Sequence, residues 1–95
     1  MSAAAVNSFD LDAVRAQFPI LAEKIHGKRL AYLDNAATTQ KPEAVLQALD
    51  GYYRHQNSNV HRAVHELAAR ATTAYEAARD CIAAFFKVTR EEIVF

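Results

Sequence analysis

The segment that most constrains this chain is a run of small and polar residues that ends in a proline. It reads Asp34-Asn35-Ala36-Ala37-Thr38-Thr39-Gln40-Lys41-Pro42. The apolar stretch 30–33 before it predicts a short strand, and Pro42 suits the first position of a helix. A strand that passes into a helix through such a run exposes unpaired N–H groups, which suit negatively charged ligands. The run is equally typical of a tight connection in which Asp34 and Asn35 make side-chain turn bonds, and such turns are common.

Length and charge exclude several classes of protein. With 95 residues the chain forms at most one small domain, and eleven Lys and Arg balance eleven Asp and Glu. No net charge therefore attracts nucleic acid or an anionic membrane. The first residues, MSAAAVN, have no basic or long apolar region of a secretory signal, and no segment approaches the roughly 20 apolar residues of a membrane span. A single cysteine cannot form an internal disulfide. We expect a soluble, cytoplasmic chain.

Hydrophobic periodicity predicts an α/β chain with three helices and two short strands. The helices fall at residues 11–17, 42–55 and about 64–87, and the strands at 30–33 and 93–95. Residues 1–9 are expected to be a mobile N-terminus. Two strands are fewer than a stable sheet usually needs, and the strand at 93–95 would leave an open edge. We therefore expect residues 10–95 to be incomplete as a domain.

Local signals refine these elements. Asp10 is the predicted N-cap of the first helix and Pro19 ends it, whereas Gly27 provides a left-handed turn residue. Glu76 and Arg79 are spaced for an ion pair, and Thr89 is placed to cap a last turn. The predicted buried faces of the two longer helices consist of Val45, Leu46, Leu49, Tyr52 and Tyr53, and of Val64, Leu67, Ala71, Ala74, Tyr75, Ala78, Ile82 and Phe85.

Histidine and cysteine could provide a metal site or a nucleophile, but in this chain their positions favour structural roles. His61 and His65 are four apart with His55 nearby, but two histidines supply only half of a zinc shell and no cysteine lies close. We predict no metal site. Cys81 lies on or beside the apolar stripe of the third helix, so we interpret it as a small core residue rather than a reactive thiolate.

Several motifs occur in one order and spacing along the chain. They are VRAQFPIL at 14–21, YLDNAATT at 32–39, NVHRAVH at 59–65, AT at 71–72, YEAAR at 75–79 and EIVF at 92–95. Together they resemble the N-terminal part of a Suf-type (group II) cysteine desulfurase, in the class-V aminotransferase family that uses pyridoxal phosphate (PLP). The resemblance runs from Asp10 to Phe95 and covers about the first quarter of a family member, so we expect a fragment.

The resemblance implies a fold and a function. The fold would be the N-terminal piece of a fold-type I PLP-dependent transferase, a homodimer when complete. The activity would convert L-cysteine to L-alanine and pass persulfide sulfur to a Suf-type acceptor protein for iron–sulfur cluster assembly. Asn35, Ala36, Ala37, Thr38 and Thr39 would line the substrate end of the pocket. His61 and Arg62 would lie at the dimer interface, near the active-site entrance.

The same resemblance assigns no catalytic, cofactor-binding or metal residue to this chain. None of its four lysines stands in the family's Schiff-base motif, and the nucleophilic cysteine of the family belongs to a later segment. We expect the 95-residue chain alone to be inactive. One departure is Ala63, where glycine normally follows the arginine; it indicates that this position needs no positive φ.

Two alternatives remain. A different class-V enzyme, such as a lyase or an aminotransferase, would share the segment around Asn35, although the motif around His61 argues against it. A non-catalytic helical interaction module would use the alanine-rich third helix as a binding surface. PLP binding by the purified chain would discriminate between the enzyme and the module.

Overall fold

The computed structural model describes residues 8–95. The predicted mobile N-terminus, residues 1–9, lies mostly outside this range. The chain divides into two compact units, with the boundary between Ala48 and Leu49. Within residues 8–95, no helix has both the length and the apolar character that a membrane crossing requires.

The first unit begins with the short helix α1 (Leu11–Ala16). The side chain of Asp10 caps it by accepting a hydrogen bond from the amide of Ala13 (3.0 Å), as predicted. Phe18 is extended because Pro19 follows it, and a 3-10 turn then spans Pro19–Ala22. The helix therefore ends where the proline predicts.

A two-residue hairpin follows. Strand β1 (Lys24–Ile25) pairs antiparallel with β2 (Lys28–Arg29), in register Lys24 with Arg29. His26 and Gly27 between them have φ of 52° and 74°. Two left-handed residues in a row give the twist that a two-residue hairpin needs, which explains the glycine.

The predicted strands at 30–33 and 93–95 are wrong for this structure. Residues 30–33 make no ladder, and Leu33 is 94% exposed. Ile93 has an extended backbone (φ −101°, ψ 123°), yet no described segment pairs with it. Strand-like residues form a strand only beside a hydrogen-bonded partner. The α/β expectation is met only in part, because helices dominate and the hairpin is the only sheet among the described residues.

Helix α2 spans Glu43–His55, one residue shorter than predicted, with Pro42 immediately before it. Its first amide, on Glu43, donates to the carbonyl oxygen of Gln17 at the end of α1 (2.7 Å). One of the unpaired N–H groups of the helix start is thus satisfied. No residue of α2 is buried, and Val45, Leu46, Leu49 and Tyr53 on its predicted apolar face are all exposed.

Helix α3 (Glu66–Phe86) is the longest element of the second unit. His65 caps it, because His65 Nδ1 accepts a hydrogen bond from the amide of Ala68 (3.2 Å). Lys87 ends it in the left-handed conformation (φ 56°), and a 3-10 turn follows at Arg90–Glu92. Thr89 caps that turn together with Glu92: Glu92 Oε2 accepts from the amide of Thr89 (2.8 Å) and from Thr89 Oγ1 (3.3 Å), and the amide of Glu92 donates to the carbonyl oxygen of Thr89 (3.1 Å).

The face of α3 that is covered differs from the predicted one. The buried residues are Ala68, Ala71 and Ala83, whereas Leu67, Val64 and Phe85 of the predicted stripe are exposed. The covered side faces the loop before α3 and the segment after it, which bond to Thr72, Glu76 and Arg79. Of the predicted stripe, Ala71 is buried and Ile82 half-buried.

Cys81 is exposed, so its assignment as a core residue is wrong for this structure. It precedes buried Ala83 by two positions. At 3.6 residues per turn, two positions are roughly 200° apart around the helix axis, so Cys81 lies almost opposite Ala83.

Candidate functional site

The polar run at 34–39 folds into a turn that its own side chains close. Tyr32 Oη donates to the carbonyl oxygens of Thr38 (2.7 Å) and Asp34 (3.3 Å), and so bridges the two ends of the turn. Asn35 Oδ1 accepts from the amide of Gln40 (3.2 Å), and its carbonyl oxygen accepts from Thr39 Oγ1 (3.2 Å). The side-chain turn bond expected of Asn35 is therefore present. Asp34 contributes its carbonyl oxygen, which accepts from the amides of Ala37 and Thr38.

The turn also leaves donors unused. Within residues 8–95, no acceptor is found for the backbone N–H groups of Asn35, Ala36 and Thr39. All three residues are exposed. The turn is therefore internally bonded and leaves exposed N–H groups, a type of donor that suits an anionic ligand.

A cavity of about 340 Å³ opens beside this turn. Its lining is Arg15, Phe18, Leu21, Tyr32, Asn35, Thr39 and Gln40. Of the predicted substrate-pocket residues, the structure brings Asn35 and Thr39 to this cavity, and Ala36, Ala37 and Thr38 lie outside its lining. Sequence reasoning did not single out Arg15 or Tyr32 as site residues, although both lie inside the motifs that carry the family resemblance.

His61 lies in the second unit and is tied to α3. Its backbone is left-handed (φ 64°), and its amide donates to Thr72 Oγ1 (3.0 Å). Its Nε2 lies 2.9 Å from Glu76 Oε1, and its ring meets the Tyr75 ring edge-on with centroids 5.7 Å apart. Ala63 does not have a positive φ, as its side chain predicts; the left-handed residue of this loop is His61.

Glu76 is the centre of a charged cluster on the second unit. Its carboxylate bonds to Arg79 Nη1 (3.1 Å), which confirms the predicted ion pair, and lies 3.8 Å from Arg90 Nη1. Arg90 also pairs with Asp80, because its Nε and Nη2 donate to the two carboxylate oxygens. This hydrogen-bonded pair lowers the pKa of Asp80 and raises the pKa of Arg90. Arg79 Nη2 donates to the carbonyl oxygen of Arg90 (2.9 Å), which fixes the 3-10 turn to α3.

Two of the four histidines are occupied by protein partners. His65 caps α3, and His61 pairs with Glu76. No group of three His, Cys, Asp or Glu side chains suited to a metal ion occurs within residues 8–95. Arg62 is exposed, and no carboxylate of the described part of the chain pairs with it.

Comparison with known proteins decides the family. The aminotransferase class-V family matches residues 31–95, which include both the 34–39 turn and the His61 loop. This chain belongs to the aminotransferase class-V family. The predicted resemblance is confirmed at that level, and its Suf-type refinement stays a prediction.

Individual relatives of this class-V chain agree with one another. It is 56% identical over 95 residues to a cysteine desulfurase from Synechococcus elongatus, covering 99% of this chain and 15% of that protein. It is 51% identical over 92 residues to a probable cysteine desulfurase from Staphylococcus aureus, and this match covers 96% of this chain and 22% of that protein. Among solved structures, the apo structure of cysteine desulfurase from Thermococcus onnurineus NA1 superimposes with a TM-score of 0.73 at 36% identity. That match covers 99% of this chain and 21% of the solved one.

The class-V family implies PLP, and the lysines of this chain do not fit it. A Schiff-base lysine needs an amine that is desolvated or otherwise activated. Lys24 and Lys28 are exposed on the hairpin, and Lys87 is exposed at the end of α3. The remaining lysine, Lys41, is also exposed, and its Nζ donates to the carbonyl oxygen of Thr39 (2.8 Å). The described residues therefore provide no attachment point for PLP.

Proposed function

We propose that this chain is part of a PLP-dependent cysteine desulfurase. The observation that carries the proposal is the 56% identity to the Synechococcus elongatus enzyme along 99% of the chain. Because the chain spans between 15% and 22% of the two curated relatives, the activity is proposed for the whole protein and not for these 95 residues. The attachment lysine and the reactive thiolate would lie outside this chain, since neither is found in it.

The proposed reaction transfers sulfur from L-cysteine to an enzyme thiolate. The carbon–sulfur bond of the substrate breaks, a sulfur–sulfur bond forms on the enzyme as a persulfide, and L-alanine leaves. PLP supplies the electron sink for such reactions. The persulfide would pass to a Suf-type acceptor for iron–sulfur cluster assembly, in a cytoplasmic homodimer.

The part of this chain in the reaction would be to shape the site. Asn35, Ala36, Ala37, Thr38 and Thr39 would line the substrate end of the pocket. The three unpaired N–H groups of this turn support that role, because a substrate carboxylate needs donors. The Tyr32 hydroxyl supports it too, since it holds the turn closed before any ligand binds. His61 and Arg62 would serve the dimer interface near the active-site entrance, where a guanidinium group makes directional bonds to carboxylates.

The test is a substrate panel on the whole protein. We expect L-cysteine to give L-alanine and protein-bound persulfide in equal amounts when no second amino-group acceptor is present. An aminotransferase of the same family would instead need a keto acid and would form a new amino acid from it. Activity only with a keto acid, or no alanine from L-cysteine, would refute the desulfurase assignment and leave the class-V family intact.

A further inference from the structure

The backbone of His61 has a left-handed conformation, which is uncommon for a residue other than glycine. A left-handed φ is unfavourable for a non-glycine residue, although histidine tolerates it better than a bulky residue does. His61 has φ of 64° in an exposed loop. Such strain persists only where surrounding contacts fix it. The conformation of His61 is therefore expected to depend on its contacts with neighbouring residues.

Two side chains of α3 hold His61 from both ends. Thr72 Oγ1 accepts the backbone N–H of His61 at 3.0 Å, and Glu76 Oε1 lies 2.9 Å from the ring nitrogen Nε2. Thr72 and Glu76 are four residues apart, so they lie on the same side of the helix one turn apart. One helical turn therefore carries both the group that meets the backbone amide of His61 and the group that meets its ring nitrogen.

Glu76 is itself fixed by cations. Its side chain is only 20% exposed, and it bonds to Arg79 and approaches Arg90 within 4 Å. An i,i+3 pair alone would explain the contact with Arg79 as helix stabilisation. It does not explain why the same carboxylate also meets a histidine fifteen residues earlier in the chain. The contacts with the two arginines hold the carboxylate in the position from which it meets that histidine.

We propose that Thr72 and Glu76 are positioning residues that hold His61 left-handed and thereby set the direction of Arg62. The backbone conformation of His61 orients the peptide group between His61 and Arg62. Thr72 and Glu76 therefore determine the direction in which the Arg62 side chain leaves the backbone. The conformation of the loop depends only on these contacts, and its consequence at a subunit interface rests on the proposed function.

The experiment uses hydrogen exchange in the whole protein, followed by mass spectrometry of peptides covering 57–65. Glu76→Ala and Thr72→Val should each raise exchange in that segment about threefold or more, since each removes a bond that holds the loop. Glu76→Gln keeps an oxygen that can accept from His61, so we expect a smaller rise. Glu66→Ala is the matched control: it breaks an equally local pair with Arg70 on the same helix, at an exposed carboxylate. Unchanged exchange at 57–65 in both Thr72→Val and Glu76→Ala would overturn the proposal.

A double-substitution cycle separates positioning from simple helix stabilisation. His61→Asn keeps a residue that tolerates the left-handed region but cannot reach Glu76. If Glu76 acts through His61, exchange in the double variant should rise no further than in the more affected single variant. If Glu76 only stabilises α3, the two fold-changes should multiply, and this would contradict the proposal. Should Glu76→Ala fail to fold, the same cycle with Glu76→Gln decides the question.

The readout does not depend on enzyme activity. If the whole protein fails to convert L-cysteine while the exchange pattern follows the expectation, the proposed function is wrong and the positioning role stands. If the protein is a desulfurase and exchange at 57–65 is unchanged in the Thr72 and Glu76 variants, the positioning role is wrong.

Discussion

The hydroxyl of Tyr32 and the carbonyl oxygen of Thr38 are 2.7 Å apart, and this bond joins the two ends of the turn that carries the candidate substrate residues. Tyr32→Phe removes it together with the weaker bond to Asp34. The whole protein should lose about 0.5–1.5 kcal/mol of stability, the usual net value of a hydrogen bond, in urea unfolding. The KM for L-cysteine should rise several-fold, because the N–H groups of the turn are no longer held in place.

The control for this substitution is Tyr53→Phe. Tyr53 is 68% exposed on α2, and its hydroxyl has no hydrogen-bond partner within residues 8–95. Equal effects of the two substitutions would show that the Tyr32–Thr38 bond has no special role in the turn.

The ion pair between Asp80 and Arg90 predicts a response to acid. Arg90 lowers the pKa of Asp80, so the pair contributes its full stabilisation above the ordinary carboxyl pKa of about 3.9. The contribution is then lost as pH falls through the lower pKa of the folded state. The side-chain Nε–H resonance of Arg90 should move with this titration and stay fixed in Asp80→Asn. Asp50→Asn, which alters another exposed carboxylate paired with arginine, should leave the titration at Arg90 unchanged.

Cys81 should be dispensable for sulfur transfer. It is exposed in the middle of α3, away from a helix N-terminus that would favour a thiolate. Cys81→Ala in the whole protein should change the free energy of unfolding by no more than about 0.5 kcal/mol, as is usual for surface positions. Persulfide formation from L-cysteine should continue at nearly the original rate. Loss of persulfide from a folded variant would mean that Cys81 is the nucleophile.

The isolated 95-residue chain should be helical without a cooperative core. Among residues 8–95, the only buried hydrophobic residues are three alanines in α3, while Leu49, Phe85 and Leu67 are exposed. Ordering the backbone costs on the order of 1–2 kcal/mol per residue, and alanines bury too little area to offset this. We expect helical far-UV circular dichroism, a broad thermal transition, and sedimentation that depends on concentration. A sharp two-state melt from a monomer would instead favour an autonomous interaction module.

The sequence predicted the features that depend on neighbouring residues. The cap at Asp10, the stop at Pro19, the turn at Gly27 and the capping pair of Thr89 each involve groups within a few positions of one another. The Glu76–Arg79 pair is also local, since one helical turn separates them. Residue chemistry and spacing determine such contacts almost completely.

Features that depend on distant partners were not predictable in the same way. Residues 30–33 would form a strand only beside a second strand, which their own sequence does not identify. No described segment pairs with them. The covered face of α3 depends on the loop before the helix and the turn after it, and so does the exposure of Cys81. The bond between His61 and Glu76 joins residues fifteen positions apart, and no periodic pattern in the sequence predicts it. The left-handed φ of His61 was not predicted either, because glycine is the residue type that most clearly indicates that conformation.

On the proposed function, this chain shapes the site of a cysteine desulfurase and carries none of its catalytic groups. The most direct measurement is L-alanine formation from L-cysteine with added PLP, made in parallel on the whole protein and on the 95-residue chain. We expect turnover by the whole protein and none by the chain above the rate of free PLP, because its four lysines are exposed and its cysteine lies in the middle of a helix. Turnover by the isolated chain, or an inert whole protein, would contradict the account.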